Sequence, residues 1–155
     1  MRRFIVIALV VIVVSGVAVV ASAGQGPPPF DRQPSPEAVV AEHLDALNNC
    51  DVDRLMAQYP ETVAILLPGG VTSEGRTEVR ALFEGFCLPY PAGLNGLQFT
   101  EVKSWTVGKT VNVQWVANAP FLAVPYYGAD AYVTKNGLMG AQVTTFDGAE
   151  LQFIP

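Results

Sequence analysis

Apolar residues follow a helical spacing in three segments of the first half of the chain. Ser35, Pro36 and Glu37 are typical of a helix start, with a capping serine, a proline in the first turn and an acidic residue. The apolar stripes that predict three N-terminal helices are Val40, His43, Leu44 and Leu47, then Val52, Leu55, Met56 and Tyr59 after a capping Asp51, then Val79, Leu82, Phe83 and Phe86 after a capping Thr77.

The spacing changes to a period of two in the second half. From Leu97 onward apolar residues alternate with polar ones, and Asn136-Gly137 predicts a tight hairpin between two further strands. Residues 62–75, "TVAILLPGGVTSEG", predict an earlier strand, a turn and a short returning strand. The apolar link from Asn118 to Ala129 is expected to cover a pocket mouth or a partner subunit. Helices followed by an antiparallel meander indicate the α+β class, with the helices on one face of the sheet.

The N-terminus has the pattern of an export signal. Two arginines precede a long apolar run that ends in Ala21-Ser22-Ala23, so residues 1–23 predict a signal peptide that is cut before Gly24. An uncleaved membrane anchor in residues 4–23 stays an alternative, because the run is almost long enough to span a bilayer. Residues 24–34 are rich in Pro, Gly and Gln and are expected to form a disordered tether, and residues 35–155 one domain. We therefore expect a secreted or periplasmic protein.

Charge and cysteine content narrow the function further. Removal of Arg2 and Arg3 leaves seven basic against fourteen acidic residues, a net charge of −7, which argues against a nucleic-acid partner. An oxidising compartment favours a disulfide between Cys50 and Cys87, and two separate buried thiols are the alternative. Two cysteines and one histidine fall short of a structural zinc site, so neither a metal nor another cofactor is expected.

Two polar residues lie where burial would be costly. His43, the single histidine, shares the apolar stripe of the first helix; the alternative to a functional role is a core histidine with satisfied nitrogens. Asp130 shares one strand face with Tyr132 and Thr134. The alternative to a functional role for Asp130 is that this face is exposed to water. Both residues are candidates for a site on the inner side of the sheet.

The order of elements resembles the nuclear transport factor 2-like (SnoaL-like) superfamily, which includes ketosteroid isomerase. "HLDALNNCDVDRLMAQYPE" (residues 43–61) is similar to the first two helices of that enzyme, "GR" precedes the third helix, and "GADAYV" is similar to the strand with its protonated aspartic acid. The resemblance implies a cone of three N-terminal helices on a curved, largely antiparallel sheet, and a homodimer. It places His43 and Asp130 at the oxyanion-hole positions and Tyr59 at an aromatic pocket position. Arg76, in the "GR" pair, is interpreted as structural.

One departure from ketosteroid isomerase separates two hypotheses. Leu67 occupies the position of the general base, so steroid isomerisation by that route is not supported. The first hypothesis is an exported protein that binds a small apolar molecule, with Tyr59, Trp115 and Tyr126 beside His43 and Asp130; packing is the alternative role of Trp115. The second is a lyase, isomerase or cyclase that acts on a carbonyl-bearing hydrophobic substrate through a His43/Asp130 acid–base pair.

Overall fold

The computed structural model describes residues 27–155, and the predicted signal peptide lies outside them. Three helices precede most of the sheet, as the apolar stripes predict: α1 (Pro36–Asn48), α2 (Val52–Ala57) and α3 (Gly75–Phe86). Six strands form the sheet: β1 (Ala64–Leu67), β2 (Val71–Glu74), β3 (Gln98–Val107), β4 (Thr110–Asn118), β5 (Tyr126–Lys135) and β6 (Leu138–Thr144). Within this part of the chain, no helix is long and apolar enough to cross a membrane.

All six strands belong to a single sheet in the order β2-β1-β6-β5-β4-β3. Only the β1–β6 pairing is parallel; the other four pairings are antiparallel. The three helices pack against one face of this sheet, which we call the inner face, and the opposite face is the outer face. The α+β cone with helices on one face of a largely antiparallel sheet is therefore confirmed.

Local capping explains where the helices begin. The Ser35 side chain accepts a hydrogen bond from the Ala38 amide at 3.1 Å, and Asp51 does the same for Arg54, as the sequence predicts. The prediction that Thr77 caps α3 is wrong. The chain turns from β2 into α3 at Gly75, whose positive φ of 73° is a conformation that glycine adopts readily. The Glu78 carboxylate accepts a hydrogen bond from the backbone amide of Glu74.

The polar face of β5 points inward, against the usual expectation. Asp130, Tyr132 and Thr134 are all buried, whereas Val133 on the opposite face is 40% exposed. The alternative interpretation of Asp130, that its strand face is exposed to water, is therefore wrong. Strand β5 also begins earlier than the sequence indicates, because Tyr126 pairs with Ala117 inside the sheet. The link between β4 and β5 is correspondingly shorter than residues 118–129.

Cys50 and Cys87 form the predicted disulfide, with their Cα atoms 5.5 Å apart. Cys50 lies in the turn after α1, and Cys87 follows the last residue of α3. The bond closes a separation of 37 residues. By the chain-entropy argument a loop of that length stabilises the folded state by about 4 kcal/mol. It ties the first and third helices together at one end of the cone.

The tether sequence does not remain free of the domain along its whole length. Asp31 donates its amide hydrogen to the carbonyl of Ala57, and Gln33 donates to Gly137. Arg76 donates to the carbonyl of Pro28 at 3.1 Å and lies over the ring of Phe30, 5.0 Å from its centroid. The expectation of a disordered tether through residue 34 is therefore not met from Pro28 onward.

Candidate functional site

His43 lies at the centre of the site, on the face of α1 that meets the sheet. Its side chain is fully buried, and its ring contacts those of Tyr59, Phe83 and Tyr132, with centroid distances of 6.1, 6.0 and 5.4 Å. The Tyr59 hydroxyl lies 3.1 Å from Nδ1 of His43. The other ring nitrogen, Nε2, has no hydrogen-bond partner among the described residues. The alternative of a core histidine with both nitrogens hydrogen-bonded therefore holds for Nδ1 but not for Nε2.

Asp130 approaches the same region from the sheet. Its Oδ2 accepts hydrogen bonds from the Tyr132 hydroxyl at 2.8 Å and from the Gln142 amide at 3.1 Å. Its Oδ1 is buried and finds no donor within residues 27–155. Tyr132 and Gln142 lie directly opposite each other on β5 and β6, so the register of these strands sets the geometry around the carboxylate.

Tyr132 connects the two halves of the site. Its ring lies 5.4 Å from the His43 ring, centroid to centroid, and its hydroxyl donates to Asp130. His43 and Asp130 themselves do not share a hydrogen bond in the described structure; Tyr59 takes the position next to His43 instead. The structure thus brings the two predicted residues to one cluster without the direct contact that an acid–base pair needs. We call His43, Tyr59, Asp130, Tyr132 and Gln142 the inner cluster.

Burial sets the protonation of the inner cluster. Desolvation lowers the pKa of His43 to about 3, so the ring is neutral at neutral pH. Desolvation also raises the pKa of Tyr59 and of Tyr132, and the nearby carboxylate of Asp130 raises both further. The tyrosines therefore keep their protons. This direction is opposite to the one expected for a histidine paired with a carboxylate, which would be easier to protonate.

Trp115 and Tyr126 belong to a second aromatic group. Trp115 is buried, with its ring centroid 5.1 Å from that of Phe99 and 5.7 Å from that of Tyr126. Phe146 lies 6.2 Å from Trp115 by the same measure. Among the described residues, no ring contact joins this group to His43. Trp115 has the packing role that the sequence left open, although its buried indole nitrogen lacks a hydrogen-bond partner in this part of the chain.

Sequence reasoning did not single out Gln142 or Phe83 as site residues. Gln142 is 7% exposed and donates a hydrogen bond to Asp130. The one pattern in the sequence that could have indicated it is its position two residues before Thr144, on the same face of the strand. Phe83 lies on the predicted α3 stripe, and its ring stacks on Tyr59 at 5.8 Å. Leu67 lies at the end of β1, packed against the core, where it supplies no proton acceptor. The described residues contain no group of three or more His, Cys, Asp or Glu side chains that could hold a metal ion.

The outer face of the sheet carries a different surface. A groove of about 560 Å³ is lined by Trp105, Lys103, Asn112, Gln114 and Val143, among others. Trp105 is 69% exposed, and Val107, Val133, Val143 and Leu66 are also exposed. An apolar outer face of this kind is typical of an interaction surface.

Comparison with known proteins rests on structure, since no family model and no curated protein matches the sequence. An NTF2-like protein of unknown function from Cytophaga hutchinsonii aligns with a TM-score of 0.60 and 17% identity, over 77% of this chain and 96% of that one. A hypothetical protein with a ketosteroid isomerase-like fold from Catenulispora acidiphila, in complex with trimethylamine, aligns with a TM-score of 0.60 and 15% identity. The alignment covers 76% of this chain and 90% of that one.

A putative polyketide cyclase from Sinorhizobium meliloti gives a TM-score of 0.57 and 14% identity, over 69% of this chain and 93% of that one. Identities this low carry the architecture and leave the activity open. Together with the cone of three helices on a six-stranded sheet, these alignments show that the chain has the nuclear transport factor 2-like fold.

Proposed function

We propose that the protein is exported and binds a small, largely apolar molecule on the inner face of its sheet. The observation that carries the proposal is the set of buried polar atoms without partners in the inner cluster: His43 Nε2, Asp130 Oδ1 and Gln142 Oε1. Native proteins rarely leave such atoms unpaired, because each costs about 1–3 kcal/mol. A bound molecule with a few polar groups would satisfy these atoms, while the aromatic rings around them would contact its apolar part.

Export is supported by two features that agree with each other. The N-terminal sequence has the order of a signal peptide, and the disulfide Cys50–Cys87 fits an oxidising, extracytoplasmic compartment. Membrane attachment through an uncleaved N-terminal segment is the alternative. A homodimer through the outer face is also part of the proposal, and it is supported by the exposed apolar residues on that face.

The enzyme hypothesis, a lyase, isomerase or cyclase, gains its support from the Sinorhizobium meliloti protein of the same fold. It needs a proton acceptor at the site. Leu67 cannot serve, and His43 is a poor base at neutral pH because burial lowers its pKa to about 3. Asp130 retains an unpartnered oxygen, but its one ionisable hydrogen-bond partner among the described residues is Tyr132, whose pKa burial raises, so this hydroxyl keeps its proton at neutral pH. The inner cluster therefore supports binding better than catalysis.

The chain carries its own reporters for a binding test. Of its two tryptophans, Trp115 is buried in the second aromatic group on the inner side of the sheet and Trp105 is exposed on the outer face, and the single histidine is His43 of the inner cluster. We would titrate the ¹⁵N-labelled protein with acetophenone, a small apolar ketone. Binding on the inner face is expected to shift the Trp115 indole signal and the His43 imidazole signals and to leave the Trp105 indole unchanged.

A Trp105→Ala variant serves as the control for this titration. It removes the largest exposed ring of the outer face and is expected to bind acetophenone as the unmodified protein does. Shifts confined to Trp105, or no shift of either inner reporter up to the solubility of acetophenone, would contradict the proposed site.

A further inference from the structure

The hydrogen bond between Tyr59 and His43 determines what the free side of the imidazole can do. The Tyr59 oxygen and His43 Nδ1 are 3.1 Å apart, and both side chains are fully buried. A neutral imidazole carries one hydrogen, on Nδ1 or on Nε2, so the direction of this bond fixes the nature of Nε2. If Tyr59 donates, Nε2 carries a hydrogen; if Nδ1 donates, Nε2 has a lone pair.

The two directions leave different numbers of polar groups unpaired. When Tyr59 donates to Nδ1, only the Nε2–H group needs a further partner. When Nδ1 donates to Tyr59, both the Nε2 lone pair and the tyrosine hydrogen need one, and Tyr59 makes no second hydrogen bond with any described residue. An unpaired donor that is buried costs about 1–3 kcal/mol. The first direction is therefore the more stable one.

We infer that Tyr59 is a positioning residue that donates its hydroxyl hydrogen to His43 Nδ1 and holds the ring as the Nε2–H tautomer, a hydrogen-bond donor for an acceptor atom of the bound molecule. The inference rests on the proposed binding function for its ligand and on the geometry of residues 43 and 59 for its tautomer. It gives His43 one definite role. The residue offers a hydrogen bond and does not exchange a proton.

The surroundings support this arrangement. Burial raises the pKa of Tyr59, so the hydroxyl keeps its hydrogen, and burial lowers the pKa of His43 to about 3, so the doubly protonated ring is excluded at neutral pH. The Tyr59 ring stacks on Phe83 with an interplanar angle of 13°, which fixes the position of the hydroxyl. A donor held this firmly loses little entropy when a ligand binds.

The inner cluster then presents two complementary groups to a ligand. His43 Nε2–H donates, and Asp130 Oδ1 accepts, with the Tyr132 ring between the two residues. A hydrocarbon without polar atoms would leave both groups unpaired. The ligand class that the cluster favours is an apolar molecule with a hydrogen-bond acceptor for His43 and a donor for Asp130.

The tautomer is measurable without any ligand. We would label the full chain with ¹⁵N-histidine, purify it with a tag that contains no histidine, and record long-range ¹H–¹⁵N spectra of its one imidazole. Nε2 is expected to show the shift of a protonated nitrogen and Nδ1 that of an unprotonated one, without change between pH 5 and 8. A protonated Nδ1 would overturn the inference.

A pair of variants separates positioning from general packing. Tyr59→Phe removes the hydroxyl and keeps the ring on Phe83, and both ¹⁵N shifts are expected to move toward intermediate values as the tautomers mix. Tyr132→Phe removes an equally buried hydroxyl that bonds to Asp130 instead, and the imidazole should keep its tautomer. Identical imidazole spectra in Tyr59→Phe and the unmodified protein would also overturn the inference.

The ligand part is tested with acetophenone and ethylbenzene, which differ in one carbonyl group. The preference of the unmodified protein for the ketone is expected to fall about 3- to 10-fold in Tyr59→Phe, the range for one hydrogen bond. An unchanged preference would overturn the donor role of His43. Binding of neither probe would count against the proposed function, whereas the tautomer is judged from the unliganded spectra.

Discussion

His43 is a neutral ring in a fully buried position, and this makes the stability of the fold sensitive to acid. In the unfolded chain its pKa is near 6.5, and in the folded protein burial lowers it to about 3. Below pH 6.5 the histidine is therefore protonated in the unfolded state and stays neutral in the folded state. The free energy of unfolding should fall by about 3 kcal/mol between pH 7 and pH 4 through this residue alone.

Denaturant titrations at several pH values check this expectation in the unmodified protein and in His43→Gln. The carboxylates titrate in both proteins, so the difference between their pH profiles isolates the histidine. The Gln variant is expected to be less stable at pH 7 and to lose less stability on acidification. Parallel pH profiles would mean that His43 is protonated in the folded protein at acidic pH without cost.

The sequence could predict that single residues face inward, but not which atoms they touch. The stripe with Val40, Leu44 and Leu47 placed His43 inside, and the structure agrees. Its partner Tyr59 comes from the other side of the α1–α2 turn, so their contact depends on how two helices pack. The Asp130–Gln142 bond likewise depends on the β5–β6 register, which includes an irregularity between Val133 and Thr134.

Strands β4 and β5 are joined through a close contact between Trp115 and Gly128, which lie directly opposite each other. A methyl group on Gly128 would overlap the Trp115 ring. Both residues lie in paired strands, so neither backbone can move away easily. Gly128→Ala is therefore expected to lower the free energy of unfolding by about 1–3 kcal/mol, measured by denaturant titration with Trp115 as the fluorescent reporter.

Gly148→Ala is the matched control for this substitution. An added methyl group at Gly148 would meet no atom within 4 Å, and the glycine does not have a positive φ. Its stability should stay within about 0.5 kcal/mol of the unmodified protein. A Gly128→Ala variant as stable as Gly148→Ala would show that the indole can shift aside.

Element boundaries were harder to predict than the elements themselves. Periodicity of 3.6 identified the helices that line the site, and the Asn136-Gly137 hairpin signal identified the two strands, β5 and β6. The prolines and aromatic residues of 118–129 indicated a loop, but Tyr126 and Tyr127 pair with β4 because tertiary context outweighs local composition. The sequence left the direction of the polar face of β5 open, since Ala131 and Val133 on its other face are the more apolar residues; the burial of Asp130, Tyr132 and Thr134 decides it.

At the scale of the whole molecule, the N-terminal segment contributes more than the sequence indicated. A stretch rich in proline has little tendency to fold by itself, which is why residues 24–34 predicted a disordered tether. Arg76 of α3 holds this segment against the domain, because its guanidinium donates a hydrogen bond to the Pro28 carbonyl and lies over the Phe30 ring. Sequence patterns describe segments one at a time, so a contact between segments this far apart was not predictable.

The outer face is expected to determine the assembly of the protein. Trp105 is 69% exposed on the edge strand β3, beside the exposed Val107, and a large exposed aromatic ring of this kind is a typical anchor of an interface. If the proposed homodimer forms through this face, Trp105→Glu should raise the dimer dissociation constant at least about 30-fold. Sedimentation velocity over a range of protein concentrations measures this constant.

Leu88→Glu provides the comparison for the dimer experiment, because it adds the same charge at an exposed apolar residue beside the end of α3, on the helical side of the sheet. This variant should dimerise as the unmodified protein does, since Leu88 lies away from the outer face. Equal weakening by both variants would attribute the effect to net charge, which is already −7 for residues 24–155. A monomer at all concentrations would leave the outer face without a second copy, and the proposed inner-face binding site would then belong to a single subunit.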